Sequence, residues 1–75
     1  MVTVYRQSNW KIAVYGREHG IPHFHIEGAE FRCSVGIMSL ELVIGTVPMA
    51  VLNDAIAWAA TRQEALMQQW QELNG

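Results

Sequence analysis

The chain has 75 residues, 51% of them hydrophobic, and five Lys and Arg against seven Asp and Glu for a formal charge of -2. That length suits one domain spanning residues 1–75 and excludes a second core, while the lack of a basic run that could neutralise several phosphates argues against duplex DNA as a partner. Cys33 is the only cysteine, so no intramolecular disulfide can form and a reduced, cytoplasmic location is expected.

The opening stretch "MVTVYRQSNW" has neither the positive segment nor the apolar run of a secretory leader. No apolar run reaches the roughly 18 residues of a membrane span. Val2 and Val4 alternate with Thr3 and Tyr5. After the polar turn "QSN", Trp10, Ile12 and Val14 alternate with Lys11, Ala13 and Tyr15. Period-two alternation on both sides of a turn predicts an amphipathic hairpin.

The loop "GREHGIP" leads into "HFHIEG", where Phe24 and Ile26 point one way and His23, His25 and Glu27 the other. The run "EFRCSV" repeats the pattern, with Phe31, Cys33 and Val35 on one face. A two-residue loop at Gly28-Ala29 would pair Ile26 with Phe31, His25 with Arg32, Phe24 with Cys33 and His23 with Ser34. "LELVI" then predicts a further strand whose inward set is Leu40, Leu42 and Ile44.

Helical spacing takes over after Gly45. Thr46 is the expected N-cap and Pro48 sits in the first turn, where its missing N–H costs nothing. A helix from 47 to 73 would be about 40 Å long, longer than the ~30 Å diameter of a compact domain this size, so a break or bend is expected. Thr61 and Glu64 fit a capping box at that point. The expected fold is α+β, a mostly antiparallel sheet (residues 2–44) covered by one C-terminal helix or two helical segments (47–73).

All three histidines of the chain, His19, His23 and His25, fall within seven residues. Alternation brings His23 and His25 to one face, and His19 arrives from the loop stiffened by Pro22. Such a set can chelate a divalent transition metal such as Zn or Ni, with Glu18 completing the shell or orienting His19. It can also act as acid and base, with His23 as proton donor and Arg32 holding His25 neutral by like-charge repulsion. Tyr15 and Arg17 flank the cluster as candidate ligand contacts. The same spacing equally fits polar side chains on a solvated sheet face, because His-x-His is a weak motif. Trp58 and Trp70 are expected as core or interface anchors rather than a platform for bases.

The run "EHGIPHFH", then "IGTVP", then the spaced tryptophans of "AIAWAATRQEALMQQW", resemble the small bacterial family catalogued as domain of unknown function 4160. The similarity covers essentially the whole chain, from the Met-x-Thr start to Trp70. Its His-x-x-Pro-His-x-His pattern matches at His19, Pro22, His23, Phe24 and His25, its Gly-x-x-Pro helix start at Gly45 and Pro48, and its tryptophans at Trp58 and Trp70. Glu18 stands where the family often has Asp, which keeps the carboxylate. Ile21 stands where it often has a second Pro, which loosens the loop. The resemblance implies a small α+β domain encoded beside another small protein in arrangements of toxin–antitoxin type, and it implies no activity.

Two classes of function follow. One is an interaction or regulatory module of a toxin–antitoxin-like pair, binding the product of an adjacent gene. The other is a small metal-assisted or acid/base hydrolase, such as an RNA-cleaving toxin, with Arg6, Lys11, Arg17 and Arg32 as phosphate contacts. The first helical segment has only Asn53 and Asp54 as polar residues between Thr46 and Thr61, too few for a helix with one free face. Self-association as a dimer through helix or edge-strand surface is therefore expected.

Overall fold

The computed structural model describes residues 1–75. Five strands, β1 (Val2–Arg6), β2 (Trp10–Val14), β3 (His23–Gly28), β4 (Arg32–Gly36) and β5 (Leu42–Thr46), precede two helices, α1 (Met49–Ala60) and α2 (Gln63–Asn74). The strands form one antiparallel sheet in sequence order, β1-β2-β3-β4-β5. The fold is the α+β arrangement expected from the alternation before Gly45 and the helical spacing after it.

One face of the sheet holds the core. Ile12 pairs with Ile26 and Ile26 with Cys33, while Phe24 pairs with Val35, so these side chains stand together. With Trp10, Val14 and Ile37 they form a buried cluster that Ala55, Ala59, Leu66 and Trp70 close from the helices. Tyr5 packs against it from β1, stacked on Trp58 with ring centroids 4.7 Å apart. Both tryptophans of the helical region thus serve as packing anchors.

The β3–β4 register differs from the expected one by two residues. His25 faces Ser34, Ile26 faces Cys33 and Glu27 faces Arg32, and the tight turn is Ala29-Glu30, closed by a Gly28 N–H to Phe31 C=O bond of 3.0 Å. A Cβ on Gly28 would lie only 2.4 Å from the Phe31 ring. The ring lies over the one residue of β3 without a side chain, and this selects the pairing. A shift of two leaves every residue on its expected face, so the core survives the change. Arg32 does not, however, stand opposite His25.

The expected inward set of β5 is also corrected. Leu40 lies in the turn before the strand, in the left-handed region at φ 58. Ser34 pairs with Ile44 and Val35 with Leu42, leaving Val43 as the extra residue of a bulge. A bulge reverses the alternation beyond it, so Leu42 and Ile44 fall on opposite faces. Leu42, Val43 and Ile44 are 45%, 53% and 69% exposed. Gly45, read as part of a helix start, instead lies inside β5 at φ 96, where a Cβ would come within 2.3 Å of the Arg32 carbonyl oxygen.

The helix break falls where expected, but its chemistry differs. Thr61 ends α1 rather than beginning α2, and no side chain caps either N-terminus. The Trp58 carbonyl accepts from Thr61 Oγ1 at 3.3 Å and Arg62 Nη1 at 2.9 Å, and the Arg62 guanidinium lies over the Trp58 ring. The end of α1 is thereby closed without Gly or Pro. Thr46, the expected N-cap, belongs to β5.

Two amide side chains fix α2 across the sheet. Gln63 donates to the Ile37 and Met38 carbonyls at 2.9 and 3.0 Å. Asn74, at the other end, donates to the Tyr15 carbonyl at 3.0 Å and accepts from the Glu18 N–H at 2.8 Å. The second clamp holds the loop that enters the histidine region.

Candidate functional site: a glutamate-bridged histidine pair

On the sheet face opposite the core, cross-strand pairing places Ala13, His25 and Ser34 in one row and Lys11, Glu27 and Arg32 in the next. Tyr15, at the end of β2, turns its ring edge against His25, with centroids 4.7 Å apart. Its hydroxyl donates to Glu27 Oε2 at 2.7 Å. His25 is thereby only 8% exposed, although it lies on the face expected to be wet.

Glu18 joins the two strand histidines. Its Oε1 accepts from His25 Nε2 at 2.5 Å and from His23 Nε2 at 3.0 Å. These bonds, the one from His25 foremost, draw the Glu18 carboxyl below its ordinary value of 4.5, against the opposing effect of burial. The carboxylate is therefore the ionised acceptor of the cluster.

Each imidazole is also held on its far side. His23 Nδ1–H donates to the Ile21 carbonyl at 2.8 Å, and the Trp70 ring lies 4.8 Å from the imidazole. Ser34 Oγ lies 3.4 Å from His25 Nδ1. Both Nε2 atoms point at one carboxylate oxygen while both Nδ1 atoms have partners of their own. The ligand atoms of Glu18, His23 and His25 lie within 4.8 Å of one another.

His19 is exposed and stands outside this set. Of the expected cluster, the structure brings His23 and His25 together with Glu18 and leaves His19 apart. The chain reverses sharply here: Arg17 is left-handed at φ 60 and Gly20 at φ 89, and Asn74 fixes the Glu18 backbone. Arg17 itself is exposed.

A second carboxylate organises the other end of the face. Glu27 forms ion pairs with Arg32 Nε at 3.1 Å and with Lys11 Nζ at 3.9 Å. The bond to Glu27 and burial raise the Tyr15 hydroxyl above its ordinary value, because an anionic neighbour and desolvation both disfavour the phenolate. Arg6, Lys11 and Arg32 line an open depression of about 450 Å³ with Gln7, Asn9 and Glu27. Three of the four expected cation contacts are gathered there.

Ser34, Trp70 and Asn74 are site residues that the sequence reading did not single out as such. Ser34 could have been found from strand parity once the register was known. Asn74 carried no local signal, being 56 residues from Glu18.

Away from this face, β5 leaves one edge of the sheet unpaired. Met38, in the turn before β5, and Met49, at the start of α1, are exposed as well. No helix of the chain is long and apolar enough to cross a membrane. No curated protein and no solved structure matches the chain. The family model described as Domain of unknown function (DUF4160) matches residues 9–71, and the chain belongs to that family.

Proposed function

We propose that this chain is a cytoplasmic interaction module of a toxin–antitoxin-like pair, with the β5 edge and the adjoining outer surface of α1 as its docking surface. The observation that carries the reading is β5 itself. Edge strands limit further pairing with charge, Pro or a bulge; Leu42–Thr46 has the bulge at Val43 but neither charge nor Pro, and it exposes three aliphatic side chains. An extended segment of a partner can add to such an edge through main-chain hydrogen bonds, with apolar contacts giving selectivity. A second copy of this chain occupies the edge when the protein is alone, and the product of an adjacent gene does so when both are made.

Co-expression with the adjacent gene, followed by sedimentation of the chain alone and of the complex, tests this reading. Ile44→Lys is expected to abolish association while changing folding stability by no more than about 0.5 kcal/mol, as usual for an exposed site. A chain that stays monomeric at high micromolar concentration and does not co-purify with its neighbour contradicts the proposal.

A second reading, an acid/base hydrolase acting on RNA, is favoured by the Glu18 bridge. A carboxylate that orients an imidazole is the usual companion of a general base. His25 would be the base, His23 the proton donor, and Arg6, Lys11 and Arg32 the phosphate contacts. It requires RNA cleavage that is lost in His23→Ala and retained in His19→Ala.

A further inference from the structure

We infer that Glu18, His23 and His25 form a binding site for one divalent transition cation of the zinc class. The inference stands apart from the docking proposal, since it concerns the central strand β3 and the loop before it rather than the β5 edge, and needs no partner. It rests on how the two imidazoles are presented rather than on their closeness alone.

A histidine that ligates through Nε2 needs its Nδ1–H bonded to a carbonyl, hydroxyl or carboxylate, which fixes the tautomer and the ring plane. His23 meets this condition as it stands, and His25 meets it once its hydrogen moves from Nε2 to Nδ1, where Ser34 Oγ accepts it. His23 Nδ1 is bonded to the Ile21 carbonyl at 2.8 Å, and His25 Nδ1 faces Ser34 Oγ at 3.4 Å. Both Nε2 atoms then converge on Glu18 Oε1, at 3.0 and 2.5 Å. In the metal-free protein the N–H hydrogens occupy the space between nitrogen and carboxylate; the cation takes both Nε2 lone pairs, the Nε2 protons leave to solvent, and each ring carries its hydrogen on Nδ1.

The dimensions fit. Zinc bonds of about 2.0–2.2 Å to nitrogen and oxygen set ligand atoms roughly 3.3–3.5 Å apart at tetrahedral angles. The three ligand atoms already lie within 4.8 Å of one another, and a fit to the ion takes Glu18 Oε1 outward from both Nε2 atoms, which it now approaches at 2.5 and 3.0 Å. Glu18 is the most exposed of the three, with 28% of its side chain accessible, so the movement is outward and a coordination position remains open to solvent. Trp70 beside His23 and Tyr15 beside His25 supply the apolar walls.

The donor set also selects the ion. Two imidazoles and one carboxylate suit Zn²⁺, Ni²⁺ or Co²⁺, whereas Mg²⁺ and Ca²⁺ favour oxygen ligands throughout. Cys33 is buried on the core face and adds no thiolate.

Isothermal titration of the chelator-treated protein with ZnCl₂ and, separately, MgCl₂ tests the site. Saturable one-to-one zinc binding is expected, with no saturable magnesium binding. Co²⁺ should give the ligand-field absorption of a low-coordinate nitrogen–oxygen site. His23→Ala and Glu18→Gln should each weaken zinc at least tenfold, while His19→Ala leaves it unchanged. His25→Ala opens buried space, so Glu18→Gln, on the exposed side and nearly isosteric, carries the test where that variant fails to fold. Absence of saturable zinc binding, zinc binding that survives Glu18→Gln and His23→Ala, or zinc binding that depends on His19 overturns the assignment.

Discussion

Replacing Asn74 by Ala removes the clamp between the end of α2 and the Glu18 loop. The side chain makes two tertiary bonds, to the Tyr15 carbonyl at 3.0 Å and from the Glu18 N–H at 2.8 Å. At a net contribution of about 1 kcal/mol each these supply roughly 2 kcal/mol. Alanine's better helix propensity returns up to about 0.5 kcal/mol. The expected loss is therefore about 1.5 kcal/mol, a drop in melting temperature of roughly 6–12 °C for a chain of this size. Urea unfolding followed by circular dichroism measures it directly.

Asn74→Asp sharpens the test. It keeps an acceptor for the Glu18 N–H but turns a carboxylate toward the Tyr15 and Trp70 carbonyls, and it adds negative charge at a helix C-terminus. It should therefore cost more than Asn74→Ala at neutral pH. If Asn74→Ala stays within about 0.3 kcal/mol of the parent, below the net value of one hydrogen bond, the clamp reasoning is refuted.

Further outcomes follow from the same geometry. Because the folded Glu18 carboxyl is held below its ordinary 4.5, its contribution to stability is fully present above that pH and is lost as pH falls through the lowered value; Glu18→Gln should flatten that part of an acid titration of stability. Gly45→Ala should destabilise by about 3 kcal/mol or more, since its Cβ would meet the backbone of β4 in a left-handed conformation, measurable as a lower urea midpoint. Burial raises the Cys33 thiol above its ordinary value, so a thiol reagent should modify it only as fast as the chain unfolds. Phe24→Ala should cost about 3–5 kcal/mol as a buried cavity, whereas Val43→Ala at the exposed bulge should be nearly neutral in a thermal melt.

Much of the fold was legible because alternation and helical spacing are local. Phe24, Ile26, Cys33 and Val35 went to the core face irrespective of register, since the true pairing differs by two. What escaped depended on particular contacts. The Phe31 ring over Gly28 chose the register, and the bulge at Val43 reversed the faces of β5, neither of which leaves a periodic trace. In the site, His23 and His25 were found by strand parity. Glu18 displaced His19 because the direction of a loop side chain is set by left-handed turns and by an amide at the far end of the chain. His25 is buried because Tyr15 folds across it, which no spacing within β3 announces.

The union of Glu18 with His23 and His25, and the exclusion of His19, is tested most directly by recording the imidazole nitrogen resonances of the metal-free protein and of Glu18→Gln. Removing the carboxylate charge should perturb the Nε2 resonances of His23 and His25 together and leave those of His19 unchanged. Three imidazoles that do not respond to Glu18→Gln, or a response led by His19, would contradict it.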